Sequence, residues 1–113
     1  MEHLRRADGV IANLAPFRGA EPDTGTVFEV GVANAFGLPV VGYGVRGTYA
    51  QRLEAHQPLE RVKGILRDVD DQVVEDFGLP LNLMLASSVQ LAETAEQALQ
   101  LLTQIWRDGD LAD

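Results

Sequence analysis

The stretch from Gly9 to Tyr43 leaves this chain few folds to choose from. It opens with the apolar run Gly9-Val10-Ile11-Ala12-Asn13-Leu14, crosses a loop punctuated by Pro16, Gly19 and Pro22, and ends in a second apolar run, Leu38-Pro39-Val40-Val41-Gly42-Tyr43. Short continuous apolar runs suit strands covered on both faces. Between them Val27, Val30 and Ala33-Asn34 recur at helical spacing from about Thr24 to Phe36, and Gly37 followed by Pro39 stops the helix. Strand, helix, strand in that order form a right-handed parallel crossover. The expectation is an α/β fold.

A length of 113 residues suits a single domain with one modest core, spanning residues 1–113. With 17 acidic and 9 basic residues the formal charge is −8. Such a surface argues against polymeric nucleic acid or an anionic membrane as partner, though not against one small nucleoside in a local pocket. Cysteine is absent, which removes disulfides, thiolate metal sites and cysteine nucleophiles. No apolar run approaches the ~18 residues of a membrane span, and Met1-Glu2-His3-Leu4-Arg5-Arg6 lacks the pattern of a signal peptide. The expected compartment is the cytoplasm.

Beyond Tyr43 the reading is coarser. Gly44 to Gln57 is polar and mixed, a long loop with a helical turn. Val62, Leu66, Val69, Val73 and Phe77 could line one helix face within Leu59–Phe77, and Phe77-Gly78-Leu79-Pro80-Leu81-Asn82 is a break. A long helix is expected from about Leu83 to Arg107, with Leu85, Val89, Ala92, Ala95, Leu99, Leu102 and Trp106 three or four apart. Two recognisable strands are too few for a stable sheet. Further strands must lie in the ambiguous middle, come from another chain, or precede the sequence given.

The chemistry concentrates in Asp23-Thr24-Gly25-Thr26-Val27-Phe28-Glu29, on the loop and first helical turns where α/β sheets hold ligands. Thr26-Val27-Phe28-Glu29 also matches a capping box, and Asp23 or Thr24 could be the N-cap. Alternatively, the positive end of the helix favours an ionised Glu29. A carboxylate so positioned can attack an anomeric carbon and hold a glycosyl intermediate. Asp23 would then handle the leaving group's proton, and Gly25 would let the backbone approach the sugar. Spacing alone leaves both readings open.

The same residues resemble the nucleoside 2-deoxyribosyltransferase family. Its pattern Asp-x-Gly-Thr-x-x-Glu-x-Gly-x-Ala appears as Asp23-Thr24-Gly25-Thr26-Val27-Phe28-Glu29-Val30-Gly31-Val32-Ala33, after Ala7-Asp8-Gly9-Val10-Ile11-Ala12. Gly37-Leu38-Pro39-Val40 resembles the family's Gly-Lys-Pro-Val, and Pro80-Leu81-Asn82-Leu83-Met84 its Pro-x-Asn-Leu-Met block. The resemblance implies a Rossmann-like (flavodoxin-like) parallel sheet flanked by helices. It implies transfer of 2-deoxyribose between purine and pyrimidine bases by a retaining double displacement, with Glu29 as nucleophile. Asp23 and Asp8 would bind the base, one of them moving its proton. Asn82, with Met84 close by, would reach in from a neighbouring subunit, so a homo-oligomer is implied. The partners are nucleosides and nucleobases, and no cofactor or metal is implied. The family pattern begins with an aromatic-bearing strand, a helix and a second strand that have no counterpart before Glu2, so the sheet is expected to lack that N-terminal βα unit.

Similar N-glycosidases of deoxynucleoside monophosphates carry a serine six residues before the glutamate. Asp23 stands there instead and would repel a phosphate, which favours a nucleoside substrate. Hydrolysis by the same intermediate, or nucleoside binding without turnover, are the alternatives. Gly42-Tyr43-Gly44-Val45-Arg46-Gly47 spells a dinucleotide fingerprint, but Thr48-Tyr49-Ala50-Gln51-Arg52 is a poor start for the apolar helix that motif needs. His3 and His56 are isolated, and Arg67-Asp68-Val69-Asp70-Asp71 reads as a solvated face.

Overall fold

The computed structural model describes residues 8–112, with side-chain surroundings through residue 109. His3 and Ala7 lie outside them. Strand β1 (Val10–Asn13) pairs in parallel with β2 (Val40–Tyr43), Val10 opposite Val40 through to Asn13 opposite Tyr43. Helix α1 (Thr24–Ala35) joins them. Its end is sealed by Gly37 at φ 75°, where the Gly37 N–H donates to Asn34 O and the Leu38 N–H to Ala33 O, both at 3.0 Å. That double closure satisfies the helix's last carbonyls and needs a residue tolerant of positive φ, hence glycine. The α/β expectation, a parallel sheet flanked by helices, holds.

Alternation along the strands divides the core between two faces. Ala12, Leu14 and Val40 pack against Val30 and Ala33 of α1 and against Leu81 and Leu85. On the other face Val41 meets Ala98 and Leu102, with Ile11 and Tyr43 beside them. Ala98 and Leu102 belong to helix α4 (Ala95–Ala112). Burying each Val or Leu side chain here contributes about 1.5–3 kcal/mol. Gly42, in the middle strand, admits no side chain: a Cβ there would lie 2.5 Å from the Leu14 Cδ1 atom.

The stretch Leu59–Phe77, where apolar spacing left a helix face open, holds strands instead. Residues Glu60–Val62 (β3) and Ile65–Arg67 (β4) form an antiparallel hairpin. Its two-residue turn places Lys63 at φ 52° and Gly64 at φ 82°, the geometry that matches the strands' right-handed twist. Of the apolar residues that suggested a helix face, Leu66 is half-buried and the others are exposed, Val69 at 62% and Phe77 at 66%. Asp68 turns the chain, its carboxylate accepting the N–H groups of Asp70 and Gln72 at 2.9 Å each, so it belongs to a turn rather than to a helix face.

The long helix expected from Leu83 to Arg107 is three elements. A single helical turn, α3 (Leu83–Ala86), gives way to strand β5 (Gln90–Leu91), which pairs in parallel with β2, and then to α4. The sheet order is β1-β2-β5. Two side-chain devices make the break. Ser87 and Ser88 hydroxyls donate to the Met84 carbonyl, closing α3, and Thr94 caps α4 by accepting the Gln97 N–H at 3.1 Å. The buried stripe of α4 is Ala98 and Leu102, flanked by Leu101 and Ile105, whereas Leu99 is exposed. Thus the third strand sits inside a segment whose apolar spacing reads as helical.

Candidate active site

The loop leaving β1 is tied before it reaches α1. The Phe17 N–H donates to Glu21 O at 2.8 Å, Arg18 turns at φ 54°, and Pro22 is buried. Asp23 follows as the N-cap of α1. One carboxylate oxygen, Oδ2, accepts the Thr26 N–H at 3.1 Å and the Thr26 hydroxyl at 3.2 Å. Gly25 gives that carboxylate room, since a Cβ at this position would stand 3.2 Å from the same oxygen.

The helix begins at Thr24, so Thr26 and Glu29 do not form a capping box. Thr26 is the residue being capped, and Glu29 lies beyond the first turn. Glu29 is exposed and lines a cavity of about 150 Å³ that runs along β1, with Val10, Ile11, Ala12, Asn13, Thr26 and Val30. Three residues apart on a helix, Thr26 and Glu29 share a face. Thr26 therefore links the two acids, facing the Glu29 cavity while holding Asp23. In the sequence Thr26 stands out only as part of a motif. Its signal is the Asp23-x-x-Thr26 spacing, which is itself a capping signature.

Asn82 and Met84 lie elsewhere. Asn82 is the N-cap of α3, its side-chain oxygen accepting the Leu85 N–H at 3.0 Å. Both residues line a cavity of about 450 Å³ with Val27, Val30, Gly31, Asn34, Leu85 and Ser88. Met84 is 79% exposed. Val30 borders both cavities, so α1 has the Glu29 cavity on one flank and the Asn82 cavity on the other. Glu29 lines the smaller of these two cavities, and Asn82 and Met84 line the larger.

Asp8 stands apart as well. It is exposed before the amino end of β1, and its carbonyl accepts the Trp106 indole N–H at 2.8 Å. It precedes β1 by two residues, at the end of the strand opposite the loop that leads to Asp23. Asp23 and Gly25 stand at the start of α1 and Glu29 further along it, while Asp8 and the Asn82–Met84 pair lie off that helix. Among the described residues no group of three or more His, Asp or Glu is placed to hold a metal ion, and no helix is long and apolar enough to cross a membrane.

A family model described as Nucleoside 2-deoxyribosyltransferase matches residues 1–84 of the chain. The chain belongs to this family. A 2-desoxiribosyltransferase from Leishmania mexicana is similar in structure, with a TM-score of 0.67 and 32% identity over 91% of this chain. The alignment covers 62% of that protein, so this deoxyribosyltransferase-family chain spans less than two thirds of its relative's length. No curated protein matches the sequence. The matched region contains β1, α1 and β2, and reaches Asn82 and Met84 at its end.

Proposed function

We propose that this chain acts as a nucleoside 2-deoxyribosyltransferase through a covalent intermediate on Glu29. The observation that supports the reading is the Asp23–Thr26–Glu29 arrangement: Asp23 caps α1 by holding Thr26, and Thr26 lines a cavity along β1 together with Glu29. A Glu29 oxygen attacks C1′ of a 2′-deoxynucleoside. The C1′–N bond breaks, its electron pair leaves with the base, and Asp23 supplies or guides the proton that base takes up. A nitrogen of a second base then attacks C1′, its proton passing to the Asp23 carboxylate, the ester bond to Glu29 breaks with its electron pair returning to the carboxylate, and two inversions give net retention. Asp8 contacts the base, the role the family pattern implies for it.

The chain is proposed to work as one domain within a homo-oligomer. Asn82 and Glu29 line different cavities that meet at Val30, which supports a role for Asn82 in a neighbouring subunit's site. Hydrolysis is the second reading, because Glu29 is exposed and water reaching the intermediate would release free deoxyribose. Incubation with deoxyinosine, with and without cytosine, decides between them. Deoxycytidine formed only with cytosine supports transfer, free deoxyribose in both supports hydrolysis, and neither product overturns the catalytic reading.

A further inference from the structure

Helix α2 (Tyr49–Glu54) contributes no buried residue. It is held instead by polar contacts. Thr48 caps it, accepting the Gln51 N–H at 3.2 Å while its own N–H donates to the Gln51 side chain at 2.9 Å. The remaining contacts reach outward to three separate loops. The Tyr49 hydroxyl donates to Glu21 Oε1 at 2.6 Å, and the Tyr49 N–H donates to Leu79 O at 2.9 Å. The Arg52 guanidinium donates to the carbonyls of Arg46 at 3.0 Å and Gly47 at 3.2 Å, and through its other terminal nitrogen to Pro80 O.

Glu21 is two residues before Asp23, and Pro80 is two residues before Asn82. Tyr49 and Arg52 are three apart and share a helix face. We propose that α2 is a clamp in which Tyr49 and Arg52 are positioning residues, Tyr49 setting the loop that presents Asp23 and Arg52 setting the segment that presents Asn82. The inference rests on the roles given above to Asp23 and Asn82.

Chemistry selects these residue types. A phenol–carboxylate bond is charge-assisted, stronger than a neutral one, and its direction fixes the Glu21 backbone between the Phe17 turn and buried Pro22. Burial, and then Glu21, push the Tyr49 hydroxyl up to about 12, so it stays a donor at neutral pH. A guanidinium offers five donors in a planar fork and can hold three carbonyls together, which an ammonium on a flexible stem does poorly. Because no residue of α2 is fully buried, Tyr49, Ala50, Arg52 and Leu53 being half-buried, these bonds do much to determine where it sits.

The test compares Tyr49→Phe, Arg52→Lys, Glu21→Gln and Glu21→Ala in the full chain by two readouts, amide hydrogen exchange and base-exchange kinetics. Tyr49→Phe should loosen amides of 17–23 alone, and Arg52→Lys those of 44–47 and 79–83. Tyr49→Phe and Glu21→Ala should each lower kcat about tenfold with KM little changed, and together no further, as a shared bond requires. Glu21→Gln keeps an acceptor and should stay near wild type. Mixing with Glu29→Gln chains should restore Arg52→Lys, whose defect lies in the segment lent to a neighbour, but not Tyr49→Phe. Unchanged protection, additive losses, or equal rescue of both variants would overturn the clamp. A wild-type chain that exchanges no base would sink the deoxyribosyl reading, while the amide data would still decide whether Tyr49 and Arg52 hold these two segments.

Discussion

Asp23 caps α1 and, in the proposed chemistry, also handles the base's proton; Asp23→Asn separates the two. The cap consists of one oxygen accepting the Thr26 N–H at 3.1 Å and the Thr26 hydroxyl at 3.2 Å. An asparagine oxygen can accept the same pair, and Asn and Asp cap about equally well. What it loses is the attraction of a negative charge for the helix's positive end, about 0.3–1 kcal/mol. Alanine loses the cap outright, at a cost of about 0.5–2 kcal/mol plus the same charge term. For a domain of this size each kcal/mol lowers the unfolding midpoint by about 4–8 °C. Asp23→Asn should therefore melt within a few degrees of wild type and Asp23→Ala clearly lower. Neither amide nor methyl can carry a proton, so both should slow base exchange by about 10²–10⁴-fold. Thermal unfolding and chromatographic base exchange on the same preparations read the two effects. Full activity in Asp23→Asn would reduce Asp23 to a cap. Equal destabilisation by Asn and Ala would refute the capping argument.

Gly42→Ala should destabilise by about 1–3 kcal/mol through overpacking, because its methyl would meet the fully buried Leu14 at 2.5 Å, and denaturant unfolding checks this. Gly31→Ala, inside α1 with open space at its Cβ, should instead stabilise by about 0.5–1 kcal/mol in the same assay. Tyr49 predicts an alkaline signature. Its hydroxyl is raised from 10.0 to about 12 in the fold, so the stabilisation is whole below about pH 10 and lost as the pH climbs towards 12. Melting series across that range should show Tyr49→Phe with a shallower alkaline decline. Asp8→Asn should raise KM for the base, and unchanged kinetics would exclude the proposed Asp8 contact.

The β1–α1–β2 unit is legible in the sequence because its signals agree: apolar runs, helical spacing and a Gly–Pro stop all mark the same boundaries. The acids at the start of α1 are legible for the same reason, though only the coordinates show that Asp23 is the cap and that Glu29 is not part of one. The hairpin is hidden because Val62, Leu66, Val69 and Val73 mimic helical spacing, and its decisive signal is the local pair Lys63-Gly64. Strand β5 is hidden because two residues carry too little periodicity to register between two apolar helices. There, the serine pair Ser87-Ser88 and the Thr94 cap are the stronger guides. The placement of Asn82 across α1 from Glu29 depends on how α3 packs against α1, which no local pattern records.

The most direct measurement is the mass of the chain after incubation with a 2′-deoxynucleoside and no acceptor, followed by peptide mapping. The account predicts one 2-deoxyribosyl increment on the peptide carrying Glu29, discharged when a free base is added and absent from Glu29→Gln. Base exchange that persists in Glu29→Gln, or an increment mapped to another residue, would contradict it.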